Sequence, residues 1–74
     1  MDPIQTAIKN AITQYFVHLD GSNANNLYDL VLAKVERPLL ETVMQHANNN
    51  QSQAAQWLGL SRNTLRKLLE KYKL

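Results

Sequence analysis

The stretch QSQAAQWLGLSRNTLRKLLE, Gln51 to Glu70, constrains this chain more than any other part of it. Ala55 is small, as a residue at a close helix–helix contact must be. Gly59 follows four positions later, where a tight corner needs φ > 0. Leu58 and Leu60 flank the glycine as apolar anchors, and Leu65 with Leu68 or Leu69 then recurs at helical spacing. Asn50 can cap a first helix, with Gln53 three residues on, and Ser61 can cap a second. Together these features predict two short helices meeting at a sharp corner, a helix-turn-helix rather than an ordinary helical hairpin.

Whatever surrounds that corner has to be small. A chain of 74 residues makes one domain and buries only about 60% of its unfolded surface, so a lone copy is marginally stable. It has no cysteine to staple it and no evident metal cluster, which points to oligomerisation as the source of stability. The absence of cysteine also fits a reducing cytoplasm. MDPIQTAIKNAI lacks the basic segment and apolar run of a signal peptide. No apolar stretch approaches the ~20 residues that span a bilayer.

Charge is unevenly distributed. Up to residue 61, Lys9, Lys34 and Arg37 are outnumbered by Asp2, Asp20, Asp29, Glu36 and Glu41; from residue 62 on, Arg62, Arg66, Lys67, Lys71 and Lys73 face only Glu70. The positive charge therefore gathers on the last helix, as expected of a polyanion binder. A solvated basic helix end, favoured by the helix dipole, would carry the same charges.

Upstream, Asp2 and Pro3 suit a helix start. Ile4, Ala7, Ile8, Ala11, Ile12, Tyr15, Phe16 and Leu19 then recur at intervals of three and four, predicting a helix over Pro3–Leu19 with Gly21 as its left-handed stop. A second helix is expected from an Asn25 or Asn26 cap to about Asn48, about 30 Å long at ~1.5 Å per residue. Its apolar positions, including Leu27, Leu30, Val31, Val35, Leu39, Leu40, Val43 and Met44, cover more than one stripe, as in a helix surrounded by others. Pro38 should kink it; the alternative is two helices broken at Arg37, but the apolar period continues across the proline and favours one kinked helix. After the polar break Asn48–Asn50 come Gln51–Leu58 and Arg62–Lys73. The expected fold is all-α, four helices in a single domain over 1–74, with 3–48 for dimerisation and 50–73 for the helix-turn-helix.

On the last helix, Leu65, Leu69 and Tyr72 form a seam to pack inward, leaving Arg62, Asn63, Arg66 and Lys67 outward. Arg62 and Asn63 lie in the first turn, the part of a recognition helix that reaches base edges. Arginine suits bidentate bonding to guanine, and Asn63 offers a paired donor and acceptor to adenine. Thr64 and Ser52, near helix N-termini, suit phosphate oxygens. Arg66, Lys67 and Lys71 are expected to clamp phosphates. His18 and His46 have no ligand partners at metal spacing, and Trp57 is expected to pack rather than stack on a base. No nucleophile–base pair, glycine-rich phosphate loop or carboxylate pair is present, so neither an enzyme nor a cofactor is expected.

The segments LYDLVLAKVERPLL and NQSQAAQWLGLSRNTLRKLLEKY resemble the Fis family, bacterial factors for inversion stimulation, over nearly the whole chain. The paired alanines, Leu-Gly and Arg-x-Thr-Leu also resemble the C-terminal domains of NtrC-type enhancer-binding activators, but the upstream half favours Fis. The resemblance implies an intertwined homodimer built on Pro3–Leu19 and Leu27–Asn48. It implies a cytoplasmic, nucleoid-associated regulator of transcription that binds and bends double-stranded DNA, with RNA polymerase a candidate partner. In that family the two recognition helices stand closer than one DNA turn, so selectivity comes largely from the deformability of an A·T-rich centre. The motif match puts Asn50, Ser52, Arg62, Thr64, Arg66, Lys67 and Lys71 at DNA-contacting positions; Ser61 and Asn63, at the tip between them, are expected at the DNA interface by their place.

Three departures qualify the match. Well-studied members carry an N-terminal arm that touches the DNA invertase; this sequence starts almost at Pro3, so invertase is not an expected partner. Leu68 and Glu70 stand where those members have lysines, predicting a flatter salt dependence of binding. Ser61 and Asn63 replace an asparagine and a glycine, which bears on base preference at the edges of the site. A helical protein-interaction module with an incidental basic tail is the reading from another functional class.

Overall fold

The computed structural model describes residues 1–19 and 25–74. Four helices follow one another: α1 (Pro3–Leu19), α2 (Leu27–His46), α3 (Gln51–Leu58) and α4 (Arg62–Tyr72). The expected all-α class holds over the described residues. The chain resolves into two compact units, Met1–Val31 and Leu32–Leu74.

In the first unit, α1 begins where Asp2 and Pro3 predict. Asp2 Oδ1 accepts from the Gln5 amide at 2.8 Å, and the Asp2 amide donates back to Gln5 Oε1 at 3.4 Å. This reciprocal capping box satisfies donors that a helix start otherwise orphans. Pro3 occupies the first helical position, where its missing N–H is no loss. Along α1, Ile8, Ile12, Tyr15 and Leu19 are half-buried, the four-three-four stripe read from the sequence. No residue of α1 is buried: Ile4 and Val17 leave 71% and 67% of their surface exposed, and Tyr28 at the start of α2 leaves 77%. The expected stop at Gly21 lies outside the described residues.

Asn26 takes a left-handed φ of 56° before α2, and its carbonyl accepts from the Leu30 amide at 3.0 Å. An N-cap has extended backbone, so Asn26 turns the chain into the helix rather than capping it. The helix then runs unbroken through Pro38, as the continuous apolar period requires. It ends at His46, two residues short of expectation. Asn48 and Asn49 are both left-handed, with φ of 54° and 64°. Asparagine is among the few L-residues that accept this conformation at modest strain. The amides of Asn49 and Asn50 fold back onto the carbonyls of Met44 and Ala47 at 2.9 and 3.0 Å, so the polar break is a hydrogen-bonded turn.

The core of the second unit is formed by the later part of α2 with α3 and α4. Leu40 of α2, Ala47 in the turn after it, Ala54 and Ala55 of α3, and Leu65, Leu69 and Tyr72 of α4 make one buried cluster, flanked by Ala33, Val43, Met44, Leu58 and Leu68. Leu40 and Leu65 are its largest fully buried side chains. Both central alanines of α3 are buried against this core, the close approach that Ala55 predicted.

Candidate nucleic-acid interface

Local chemistry fixes each end of the two short helices. At the start of α3, Asn50 has extended backbone and its Oδ1 accepts from the Gln53 amide at 3.1 Å. At its end, Gly59 is left-handed with φ 73°, and the amides of Gly59 and Leu60 donate to the carbonyls of Gln56 and Ala55 at 3.2 and 2.9 Å. This is a Schellman ending, with Leu60 the apolar residue that follows the glycine. Ser61, extended, then opens α4 by accepting from the Thr64 amide at 3.1 Å. Three consecutive signals turn the chain from one helix into the next within three residues.

The side chains of α4 divide by face. Leu65, Leu69 and Tyr72 are buried, whereas Arg62, Asn63, Thr64, Arg66, Lys67 and Lys71 are exposed. Asn50 and Ser52 are exposed at the start of α3, and Ser61 at the corner. Every residue proposed from sequence for DNA contact is thus free of the core. Leu68 is the departure that packs: it is half-buried against the core, while Glu70 is exposed.

Two pairs of side chains order the exposed first turns of α4. Ser61 Oγ, besides capping, donates to Thr64 Oγ1 at 2.9 Å, which leaves the Thr64 hydroxyl proton free for an acceptor outside the helix. Arg66 Nη2 donates to Asn63 Oδ1 at 2.5 Å. Taken one at a time, the Asn63 amide suits adenine and Arg66 suits phosphate; in the folded chain the two are joined. The signal was available, since residues three apart on a helix share a face.

A second feature escaped the sequence. Tyr72 was expected on the inward seam, but not its partners: its hydroxyl donates to Glu36 Oε1, and Arg37 Nη2 donates to its carbonyl oxygen at 2.7 Å. The Arg37 guanidinium and the Lys71 ammonium lie 5.7 and 5.3 Å from the ring centroid, within range of cation–π attraction. The hydrogen bond to the Glu36 carboxylate, with burial and the carboxylate charge adding, raises the Tyr72 pKa, and Arg37 opposes the rise. The anchor fixes the far end of α4 on α2. Trp57, expected to pack, instead leaves 56% of its surface exposed, because Ala54, Ala55 and Leu58 supply the inward face of α3.

Among the described residues, no three His, Asp or Glu side chains gather as a metal site would require, and no helix is long and apolar enough to cross a membrane. A three-helix core whose last two helices meet at a left-handed glycine, with the basic face of the last helix turned outward, defines a DNA-binding protein of the helix-turn-helix class. Comparison with known proteins narrows the class. The family described as bacterial regulatory protein, Fis family, matches residues 31–72. A Fis-like DNA-binding protein of Ralstonia nicotianae is 53% identical over 73 residues, which is 99% of this chain and 95% of that protein. DNA-binding protein Fis of Proteus mirabilis is 51% identical over 70 residues, 95% of this chain and 71% of its own length. Its Escherichia coli counterpart is 50% identical over the same extent. The chain belongs to the Fis family of bacterial DNA-binding proteins.

Proposed function

We propose that the chain works as a homodimer that binds and bends double-stranded DNA, acting on the bacterial nucleoid in the cytoplasm as a regulator of transcription. The observation that carries this reading is the two-faced α4: Leu65, Leu69 and Tyr72 are buried while Arg62, Asn63, Thr64, Arg66 and Lys67 stand in solvent just after the corner. In a recognition helix these early positions approach base edges and the flanking phosphates. Dimerisation is supported by the apolar surface that α1 and α2 leave uncovered, notably Ile4, Phe16, Val17, Tyr28 and Leu39. A small domain gains stability by covering such residues with a second copy. Arg62 is assigned to guanine O6 and N7, and Asn50, Ser52, Ser61, Thr64, Lys67 and Lys71 to the backbone or the edges of the site. If the two copies of α4 stand closer than one DNA turn, as the family resemblance implies, both can enter successive major grooves only on a bent duplex. Sequence preference then rests on how easily the untouched centre deforms.

A mobility-shift titration at fixed salt tests this. Two duplexes share guanine-flanked ends and differ in an A·T-rich or G·C-rich centre. Tighter binding to the A·T-rich duplex, as one discrete slow complex, is expected. Equal binding to both would sink the shape readout and leave direct base contacts. Binding to neither would sink the DNA reading in favour of a protein-interaction module.

A further inference from the structure

The Asn63–Arg66 pair has a consequence for how α4 meets DNA. Both residues lie on its exposed face, and the hydrogen bond between them is formed in the protein alone. Helical side chains lean toward the N-terminus, so the long arm of Arg66 lies back over the turn that carries Asn63. A free arginine on a helix surface samples many rotamers. A hydrogen bond from a charged donor is stronger than a neutral one and holds the planar guanidinium in one orientation. Among the described residues the bond to Asn63 is the one hydrogen bond of the Arg66 guanidinium, and the rest of its five N–H donors stay on the exposed face of α4.

We infer that Asn63 is a positioning residue for Arg66: it acts on DNA by pre-ordering the Arg66 guanidinium at the tip of α4 rather than by reading a base itself. This rests on the reading of α4 as a recognition helix. Immobilising a rotamer-rich side chain on binding weakens association by about 2- to 10-fold, and an arginine already held avoids most of that loss. Alanine at position 63 removes the acceptor without harming the helix, since alanine is the best helix former. A loss therefore reports on the DNA-facing surface and not on folding.

A double-mutant cycle on one duplex tests the inference, using Asn63→Ala, Arg66→Ala and the double variant of the full chain. Asn63→Ala is expected to weaken binding about 2- to 10-fold in the parent and to have no further effect in the Arg66→Ala background. Its effect should also be the same whichever base pair occupies the edges of the site. In the free protein, the Arg66 guanidinium should show hindered NMR signals that average out in Asn63→Ala. Additive losses, or a loss confined to one base pair, would show Asn63 reading DNA directly and overturn the inference. Unchanged affinity in Asn63→Ala would overturn it too. Failure of the parent protein to bind any duplex is a different result, and it removes the recognition-helix reading first.

Discussion

The Tyr72 hydroxyl at the end of α4 donates to the Glu36 carboxylate on α2, residues 36 positions apart in sequence. With Arg37 holding the Tyr72 carbonyl oxygen, one turn of α2 grips both the side chain and the backbone at the end of the proposed recognition helix. The phenol must be neutral to donate, so its pKa in the folded protein is raised. The pair's contribution is fully present below the ordinary tyrosine value of about 10 and is lost as pH climbs through the raised folded value. Thermal melts from neutral to alkaline pH should show Tyr72→Phe less stable than the parent at pH 7, with the gap closing at high pH. A gap that stays constant with pH would remove the titration from the account.

The left-handed caps of α3 and α4 carry opposite residues and should respond in opposite ways. Gly59 has φ 73° with open space where a Cβ would stand, so Gly59→Ala suffers only backbone strain, about 1–2 kcal/mol. Lys73 adopts φ 57° at the end of α4 with the unfavourable residue already in place, so Lys73→Gly should stabilise by about 1 kcal/mol. Chemical denaturation of the two variants measures both signs.

Leu65 is fully buried where α2, α3 and α4 meet. Leu65→Ala leaves a cavity in a core with few other large side chains and should cost about 2–5 kcal/mol, a large part of the total stability of a domain. Circular dichroism should show the melting temperature falling sharply. Truncation of the exposed Lys67 should leave it nearly unchanged.

Base and phosphate contacts separate by their salt dependence. Arg62→Ala should reduce discrimination at one guanine by about 1–3 kcal/mol, whereas Lys67→Ala should weaken all duplexes alike and flatten the log–log salt slope by about 0.9. Glu70→Lys, which puts a base on the exposed flank of α4, should steepen that slope by a similar amount. Titrations at several salt concentrations with two site variants distinguish the three.

Local signals made the helix-turn-helix legible. Asn50, Gly59 and Ser61 act on their immediate neighbours through backbone bonds, and each does in the fold what its residue type predicts. The same holds for Asp2 and Pro3 at the start of α1. Apolar period carried α2 through Pro38, but not to its true end, because the left-handed turns at Asn48 and Asn49 follow from asparagine's tolerance rather than from any pattern. Trp57 departs from its expected packing because one aromatic on an eight-residue helix has no period to orient it, and the neighbouring alanines fill the inward face. The grip of Glu36 and Arg37 on Tyr72 depends on tertiary proximity, to which spacing along the chain is blind. Asn63 and Arg66 were each placed on the correct face, yet read singly where they act as a pair.

The division of α4 into a buried seam and a solvent face has an evolutionary consequence. Leu65, Leu69 and Tyr72 hold the helix, so Arg62, Asn63, Arg66 and Lys67 can be exchanged with little penalty to folding. On the proposed reading of α4 as the recognition helix, two lineages could then diverge in the DNA sites they recognise while inheriting the same scaffold. A screen of randomised codons at those four positions would explore new binding preferences without first having to rescue a misfolded chain.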